Sequence, residues 1–126
     1  MILKETILKS ADNSGASTMR VIHLYRFQVK KLGSFCKVVL VRFNVRRKLQ
    51  KKRKYRGLLI TQRARYSRPH GIYVAWNGNR VATYAERLDK FLGTRLFGPA
   101  AREMRNKKLI SRTLARRIIS LSRALI

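Results

Sequence analysis

The sequence predicts a mainly β protein, in which a small closed or partly closed barrel is followed by a helical C-terminal part. Apolar residues in the first hundred positions occur in short runs rich in Val, Ile, Phe and Tyr, without a sustained helical period. Turn residues separate these runs, and no helical pattern lies between them. A barrel is expected because closure removes the exposed strand edges that a chain of short strands would otherwise present.

Six strands are predicted before position 92. They cover residues 2–8, 19–27, 35–43, 57–62, 72–76 and 80–84. The turns between them are residues 12–15, 33–34 and 69–71 and a tight hairpin at 77–79, all containing Gly. The length of 126 residues suits one domain, so we expect residues 1–126 to form a single unit with the barrel in residues 1–92.

The pattern changes after Phe91, and residues 93–126 are predicted to form an ordered loop and two helices. Pro99 is well placed at the first turn of a short helix that runs to Arg105. A second helix is predicted over residues 108–125, with an apolar stripe on one face: Ile110, Leu114, Ile118, Leu121 and Leu125. This stripe favours packing against the strands or a neighbouring protein over a membrane-active helix, which is the weaker alternative.

The charge of the chain indicates a polyanionic partner. Lys and Arg number 31 against five acidic residues, a formal net charge of +26, and no acidic residue occurs between Asp12 and Glu86. Nucleic acid is the expected partner, and repulsion among the cations predicts weak stability without it. A disordered basic tail is excluded, because 45% of the residues are hydrophobic.

The densest basic segment, residues 46–56, contains eight cations among eleven residues and predicts an arm or hairpin laid along an RNA groove. A second basic stretch surrounds Tyr66, whose ring could stack on an unpaired base or pack in the core. Trp76 is interpreted as a core or rim residue. The predicted RNA-binding residues are Arg42, Arg46, Arg47, Lys48, Lys51, Lys52, Arg53, Lys54, Arg56, Arg63, Arg65 and Arg68.

No catalytic residues, cofactor or metal site are expected. His23 and His70 are far apart and lack neighbouring cysteines or carboxylates with the spacing that zinc requires. A magnesium-dependent nuclease would need Asp12 to meet Glu86 or Asp89 in space, and is the least favoured alternative. The only cysteine, Cys36, lies in an apolar run and is expected to be a buried thiol.

The stretch GTRLFGPAARE, residues 93–103, is predicted to be a rigid loop. It combines two glycines, the aromatic Phe97 and Pro99. The alternative is a simple helix-entry turn in which Arg95 pairs with Glu103, and the residues alone do not decide between the two.

Four blocks of the sequence resemble one family. The opening MILKETILKSADNSGA, the middle RPHGIYVAWNGN, the stretch GTRLFGPAARE and the later IISL are similar, in this order, to the L-fourteen protein of the large ribosomal subunit. The resemblance extends from Met1 to about Leu121, and ADNSGA and GTRLFGPAARE are its most specific blocks.

This resemblance implies a five-stranded barrel with a C-terminal helical part, bound to large-subunit rRNA and without catalytic activity. It further implies a place on the subunit-joining face, contact with small-subunit rRNA in an intersubunit bridge, and neighbours from the L-three and L-nineteen families. A ribosome silencing factor docks on the family's protein. The protein or bridge interface carried over to this chain comprises Thr94, Arg95, Arg102 and Arg117.

Departures from the family pattern predict an organellar member. Additional residues occur around Leu109 to Ala115, Ser34 replaces an acid after Gly33, and Arg123 and Ala124 replace a proline and an acid. Loss of acids and gain of arginines suggest a mitochondrial ribosome in the matrix, with plastid and bacterial ribosomes as alternatives. No signal or transit peptide is recognised, so Met1 is expected to begin the mature protein.

Overall fold

Five strands pair edge to edge in a closed ring. The computed structural model describes residues 2–24, 37–45, 54–85, 90–105 and 111–126, and for 37–45 it describes only the backbone. The five strands are β1 (Ile7–Ser10), β2 (Ala16–Leu24), β3 (Lys37–Val45), β4 (Lys54–Thr61) and β7 (Arg80–Ala85). Successive strands pair antiparallel in the order β1-β2-β3-β4-β7. A short parallel pairing of β7 with β1 closes the ring, with Ser10 opposite Val81. The predicted small barrel is confirmed.

Buried and exposed side chains alternate along β1, and its buried side chain packs against β2 inside the barrel. Leu8 is buried between the exposed Ile7 and Lys9, and its partner across the ladder is the buried Met19. A period of two places every second side chain on the inner face of a strand. β4 instead is buried continuously from Gly57 to its end, because the C-terminal part covers its outer face. The N–H of Ala101 donates there to the carbonyl of Ile60 at 3.4 Å.

Three short strands lie outside the ring. β5 (Tyr66–Ser67) and β6 (Tyr73–Val74) form a separate hairpin, and β8 (Lys90–Phe91) extends the sheet beside β7. The strand predicted over residues 72–76 is therefore shorter than expected, and the one predicted over 2–8 begins five residues later and ends at Ser10. The turn between β5 and β6 has His70 and Gly71 in the left-handed region, each with a φ of 75°.

The C-terminal part differs from the prediction at both helices. The helix expected from Pro99 is a short 3₁₀ helix, Arg102–Arg105, which begins later because the N–H groups before it pair with the chain terminus. The N–H of Ala100 donates to the carbonyl of Ala124 at 3.0 Å, and that of Arg102 donates to the main-chain oxygen of Ile126 at 3.0 Å. The bridge of Ala100 with Leu125 thus takes the place of the first helical turn expected after Pro99.

The final helix, α1 (Arg112–Leu121), is shorter than the predicted residues 108–125. It begins after Ser111, whose hydroxyl accepts the N–H of Leu114 as an N-cap, while residues 106–110 lie outside the described residues. It ends at Leu121, because Ser122 is extended and Leu125 pairs with Ala100. The predicted apolar stripe faces the core, with Leu114 and Ile118 buried.

One cluster of buried side chains unites the barrel and the C-terminal part. Its largest fully buried members are Leu8, Met19, Val21, Leu58, Leu59, Ile60, Met104, Leu114 and Ile118. Trp76 is partly buried against this cluster, as its interpretation as a core or rim residue requires. Among the described helices, none has the length and apolar character needed to cross a bilayer.

Candidate functional site

The turn at residues 12–15 is built around the carboxylate of Asp12, of which only 4% is exposed. One oxygen accepts the hydroxyls of Ser10 at 2.8 Å and Ser14 at 2.6 Å, and the N–H of Ser14 at 3.2 Å. The other accepts the N–H of Thr83 at 2.8 Å and its hydroxyl at 3.0 Å. These donors are all neutral, and the bonds join the end of β1 to the middle of β7.

Asn13, the next residue, holds the loop that follows β8. Its side-chain oxygen accepts the N–H of Thr94 at 2.8 Å and that of Arg95 at 3.3 Å. Its amide nitrogen donates to the hydroxyl of Thr94 at 2.8 Å. Asn13 therefore fixes both the backbone and one side chain of the loop, across 81 positions of sequence.

The loop is anchored further by close backbone approaches. The N–H of Phe97 donates to the carbonyl of Ala11 at 2.7 Å, and a Cβ at Gly93 would lie 2.8 Å from the Cβ of Asp12. Any larger residue would have to displace the turn at residues 12–15, which explains the glycine. The two most specific blocks of the sequence, ADNSGA and GTRLFGPAARE, are thus one structural unit.

Arg80, the first residue of β7, also holds the loop through hydrogen bonds. Its guanidinium donates to the carbonyls of Phe97 at 2.5 Å and Pro99 at 2.6 Å, and its Nε donates to the hydroxyl of Thr61 at 3.2 Å. Gly98 lies over the guanidinium with a φ of 75°, and a Cβ there would be 2.7 Å from Nη1. Burial lowers the pKa of Arg80 below its ordinary value. The loop is thus held on two sides, by Asn13 and by Arg80, and its rigidity stays a prediction.

The upper surface of the loop carries polar and aromatic groups exposed to solvent. Thr94 and Arg95 are exposed, and the Arg95 guanidinium lies 5.4 Å from the ring centre of Phe97, which is itself 47% exposed. A cation over an aromatic face restricts both side chains. The loop therefore presents a preformed surface rather than a flexible one.

Comparison with protein families identifies the family of this chain. The family model described as Ribosomal protein L14p/L23e matches residues 1–125. The chain belongs to this family. It is thus a large-subunit ribosomal protein, and membership supports a structural rather than a catalytic role.

The predicted interface residues of this family member fall in two places. Arg117 lies on α1 four residues before Leu121, whose carbonyl accepts the N–H of Leu96 at 3.4 Å. The fold thus brings the helical turn of Arg117 beside the loop of Thr94 and Arg95. Arg102 is exposed at the start of the 3₁₀ helix, next to the chain terminus.

Glu103 does not pair with Arg95, so the helix-entry alternative is wrong. Its carboxylate accepts the Nε of Arg68 at 2.5 Å and Nη2 at 3.1 Å, and the hydroxyl of Tyr66 at 3.1 Å. The indole of Trp76 donates to the same hydroxyl at 3.2 Å. Tyr66 is 6% exposed, which decides between its two interpretations in favour of packing.

The electrostatics of this cluster favour an ionised Arg68–Glu103 pair. Burial opposes ionisation of Glu103, but the hydrogen bonds from Arg68, the backbone and Tyr66 outweigh it and hold its pKa below 4.5. The pKa of Arg68 is raised, chiefly by the hydrogen bond to Glu103. Burial also raises the pKa of Tyr66. Arg68 thus has an internal role in this family member, and its contact with RNA stays a prediction.

The remaining predicted RNA-binding residues that the structure describes lie on β3 and at both ends of β4. Lys54 and Arg56 lie on β4 and Arg63 and Arg65 directly after it, with Arg56 half-buried and the other three exposed. Arg42 lies on β3, where it pairs with Met19. Six of the predicted residues fall outside the described residues: Arg46, Arg47, Lys48, Lys51, Lys52 and Arg53. They belong to the connection between β3 and β4, which are antiparallel neighbours with Val41 opposite Lys54.

The described residues assemble no group of three His, Cys, Asp or Glu side chains that could hold a metal ion. The carboxylate of Asp12, which a nuclease would need, is buried under hydroxyl and N–H donors. Its two proposed companions, Glu86 and Asp89, lie outside the described residues.

Sequence reasoning missed Asn13 and Arg80, which position the loop without lying in it. The signal for Asn13 was present in the specificity of ADNSGA, but no local pattern reveals a partner 81 positions away. Arg80 was counted only as part of a strand, and its three acceptors come from two distant segments.

Proposed function

We propose that this ribosomal protein is an architectural component that binds large-subunit rRNA and contributes to the intersubunit face. One observation carries the proposal: all three carboxylates among the described residues are engaged within the protein. Asp12 is buried under neutral donors, Glu5 pairs with Arg20 at 3.5 Å, and Glu103 pairs with Arg68. The part of the chain that the structure describes therefore offers no further side-chain carboxylate to its exposed cations, which favours a polyanion as the source of counter-charge.

The proposed RNA surface is the basic segment 46–56 together with Arg63 and Arg65. In the sequence, residues 46–53 connect β3 to β4, Lys54 and Arg56 lie at the start of β4, and Arg63 and Arg65 follow its last residue, so the basic residues border β4 at both of its ends. Phosphate contacts of Arg and Lys fix position without reading sequence, which is the chemistry that an architectural protein needs.

The first test replaces Lys51, Lys52, Arg53 and Lys54 with Ser. We expect incorporation into large subunits, followed by sucrose-gradient sedimentation, to fall roughly tenfold because about four phosphate contacts are lost. The matched control replaces four exposed cations outside the proposed surface: Lys4, Lys9, Lys90 and Arg123. If the control variant lost as much incorporation as the variant of residues 51–54, net charge alone would explain the effect. Normal incorporation of the variant of residues 51–54 would contradict the proposal that this segment binds RNA.

Salt dependence provides an independent measure with purified components. Each neutralised phosphate contributes roughly 0.7 to 0.9 to the slope of log affinity against log salt concentration. We expect binding to large-subunit rRNA to give a slope equivalent to at least about six contacts. A slope equivalent to fewer than about three would contradict extensive backbone binding.

The rigid loop is the proposed protein or bridge surface. Asn13 holds the backbone of Thr94 and Arg95, and the N–H of Leu96 donates to Leu121 at the end of α1, the helix that carries Arg117. These contacts support a surface formed by the loop and α1 together. A preorganised surface loses little conformational entropy on binding, which suits a docking role. The proposed occupants are small-subunit rRNA in a bridge and, in free large subunits, a ribosome silencing factor.

For this surface we expect Arg95→Glu to weaken subunit joining or silencing-factor binding about tenfold while incorporation changes less than about twofold. Arg123→Glu is the matched control, since Arg123 is also exposed and the charge change is identical. The measurement is subunit association by light scattering, beside the sedimentation assay. If incorporation falls as much as joining, Arg95 is a ligand of large-subunit rRNA instead.

Neighbours from the L-three and L-nineteen families and a mitochondrial location complete the proposal. They are supported by family membership and by the replacement of acids with arginines, respectively. Gradient fractions from isolated mitochondria, probed with an antibody against this chain and cross-linked to adjacent proteins, test both. Recovery only from cytoplasmic or plastid ribosomes would reassign the location.

A further inference from the structure

An open groove of about 460 Å³ lies between the 3₁₀ helix Arg102–Arg105 and α1. It is lined by Arg105 from the first element and by Arg112, Ala115, Arg116 and Ile119 from the second. The four α1 residues occupy positions i, i+3, i+4 and i+7, so they form one strip along the helix. The volume falls in the range of about 300 to 1,000 Å³ typical of binding clefts.

The three guanidiniums of this groove lack counter-charges within the described part of the chain. Arg105, Arg112 and Arg116 are exposed, and the carboxylate on the same 3₁₀ helix, Glu103, is held by Arg68. The first turn of α1 contains no acidic residue, so the positive end of the helix dipole adds to the field. The groove is therefore built to attract carboxylates or phosphates.

The floor of the groove distinguishes between these two anions. Ala115 is nearly buried, whereas Ile119 is 45% exposed although it is a large aliphatic residue. A phosphate would pair with the arginines and leave Ile119 in water. A protein segment with carboxylates around an apolar side chain would satisfy the guanidiniums bidentately and also cover Ile119.

We infer that this groove binds an acidic segment of a protein partner, in which an aliphatic or aromatic residue is flanked by Asp or Glu. The site is separate from the proposed RNA surface and from the loop surface, since it shares no lining residue with either. It contains Arg112 and Ala115, which fall in the region where the chain departs from the family pattern. The partner would thus be specific to this branch of the family.

The test uses the full chain and a fluorescein-labelled peptide, Glu-Glu-Leu-Phe-Glu-Glu, in fluorescence anisotropy at physiological salt. Because a chain of charge +26 attracts any acidic peptide, the reference probe is Glu-Glu-Gly-Ser-Glu-Glu, which has equal charge and no apolar anchor. We expect the first peptide to bind about tenfold more tightly than the second. Equal affinities would overturn the inference.

Two pairs of variants separate the groove from the general field. Ile119→Ser should weaken binding of the anchored peptide about fivefold, whereas Ile72→Ser, at a residue 59% exposed elsewhere, should change it less than about twofold. Arg105→Gln with Arg116→Gln should cost about tenfold, against less than about twofold for Arg63→Gln with Arg65→Gln. Equal losses from the two arginine pairs would show non-specific attraction and overturn the inference.

RNA is the alternative ligand of this groove, and oligouridylate binding by the same arginine variants tests whether it binds there. We expect the affinity for an oligouridylate to fall no more with the Arg105 and Arg116 substitutions than with those of Arg63 and Arg65. A selective loss of oligouridylate binding in the groove variant would make the groove an RNA contact and refute the peptide assignment. Circular dichroism of each variant verifies that α1 is intact.

Discussion

Asp12 and Glu103 are both carboxylates held inside a strongly cationic chain, yet they are held in opposite ways. Asp12 accepts hydrogen bonds from Ser10, Ser14 and Thr83, which are all neutral donors. Glu103 accepts a two-point bond from Arg68. Each of these two carboxylates joins segments far apart in sequence, so both serve the internal architecture of the protein.

Asp12 and Glu103 have different hydrogen-bond donors because they differ in burial and in the space around the carboxylate. Asp12 lies against Gly93 of the loop, where even an added Cβ at the glycine would be 2.8 Å from the Cβ of Asp12, so a guanidinium has no room there. Small hydroxyl and N–H donors satisfy the carboxylate without occupying that space. Glu103 lies nearer the surface, with a quarter of its side chain exposed, and there the larger Arg68 fits and also reaches the main-chain oxygen of Ile126.

The largest expected effect comes from removing the Asp12 carboxylate. Asp12→Ala leaves the buried N–H and hydroxyl of Thr83 without an acceptor, and we expect the free energy of unfolding to fall by about 3 kcal/mol or more. Urea unfolding monitored by the fluorescence of Trp76, the only tryptophan, measures this. Asp12→Asn is the milder companion, since it keeps one acceptor oxygen. A loss smaller than that of Glu103→Gln would reverse the ranking of the two carboxylates.

The second effect concerns pH. The folded-state pKa of Glu103 lies below its ordinary value of 4.5, so the ionised pair contributes stability that is fully present above that pH. This contribution is lost as pH falls through the folded pKa. We expect Glu103→Gln to cost about 1 kcal/mol at neutral pH and the gap from the unaltered protein to narrow below about pH 4.5.

A matched control for this pH effect is Glu5→Gln. Glu5 also pairs with an arginine, Arg20, but its side chain is 74% exposed. Exposed pairs contribute little, so this substitution should leave the urea midpoint nearly unchanged at every pH. A pH-independent gap for Glu103→Gln would mean that the hydrogen bonds, and not the charge, stabilise the cluster.

The third effect is a local one and is expected for Asn13→Ala. Three hydrogen bonds to the loop disappear, but Asn13 is exposed and water replaces them, so the free energy of unfolding should fall by only about 1 kcal/mol. Amide hydrogen exchange of Thr94 and Arg95 should accelerate roughly tenfold. Asn77→Ala, at another exposed turn, is the control. Unchanged exchange in the loop would show that Arg80 and Gly93 suffice to hold it.

Much of the architecture was readable from local patterns. Short β-rich runs separated by turn residues predicted the barrel strands, and the charge distribution predicted a polyanionic partner. The boundaries that failed are those where tertiary pairing competes with local preference. Pro99 is a good helix starter, yet Ala100 pairs with Leu125, and that pairing delays the 3₁₀ helix to Arg102.

The candidate site divides in the same way. Thr94 and Arg95 stand in a motif that local chemistry marks as a rigid loop, whereas their support by Asn13 spans 81 positions and follows from no spacing rule. The partner of Glu103 could not be predicted from the sequence either. Arg95 is close to it in sequence, whereas the observed partner, Arg68, is 35 positions away.

The sequence by itself determined the strand-rich class, the surplus of positive charge and the presence of a specific loop, because these depend on periodicity, composition and short motifs. Only the tertiary structure decided which carboxylate meets which donor, that β7 closes the ring onto β1, and that a groove of arginines flanks Ile119. Those outcomes depend on contacts between distant segments, whose energies are set by mutual geometry once the chain has closed.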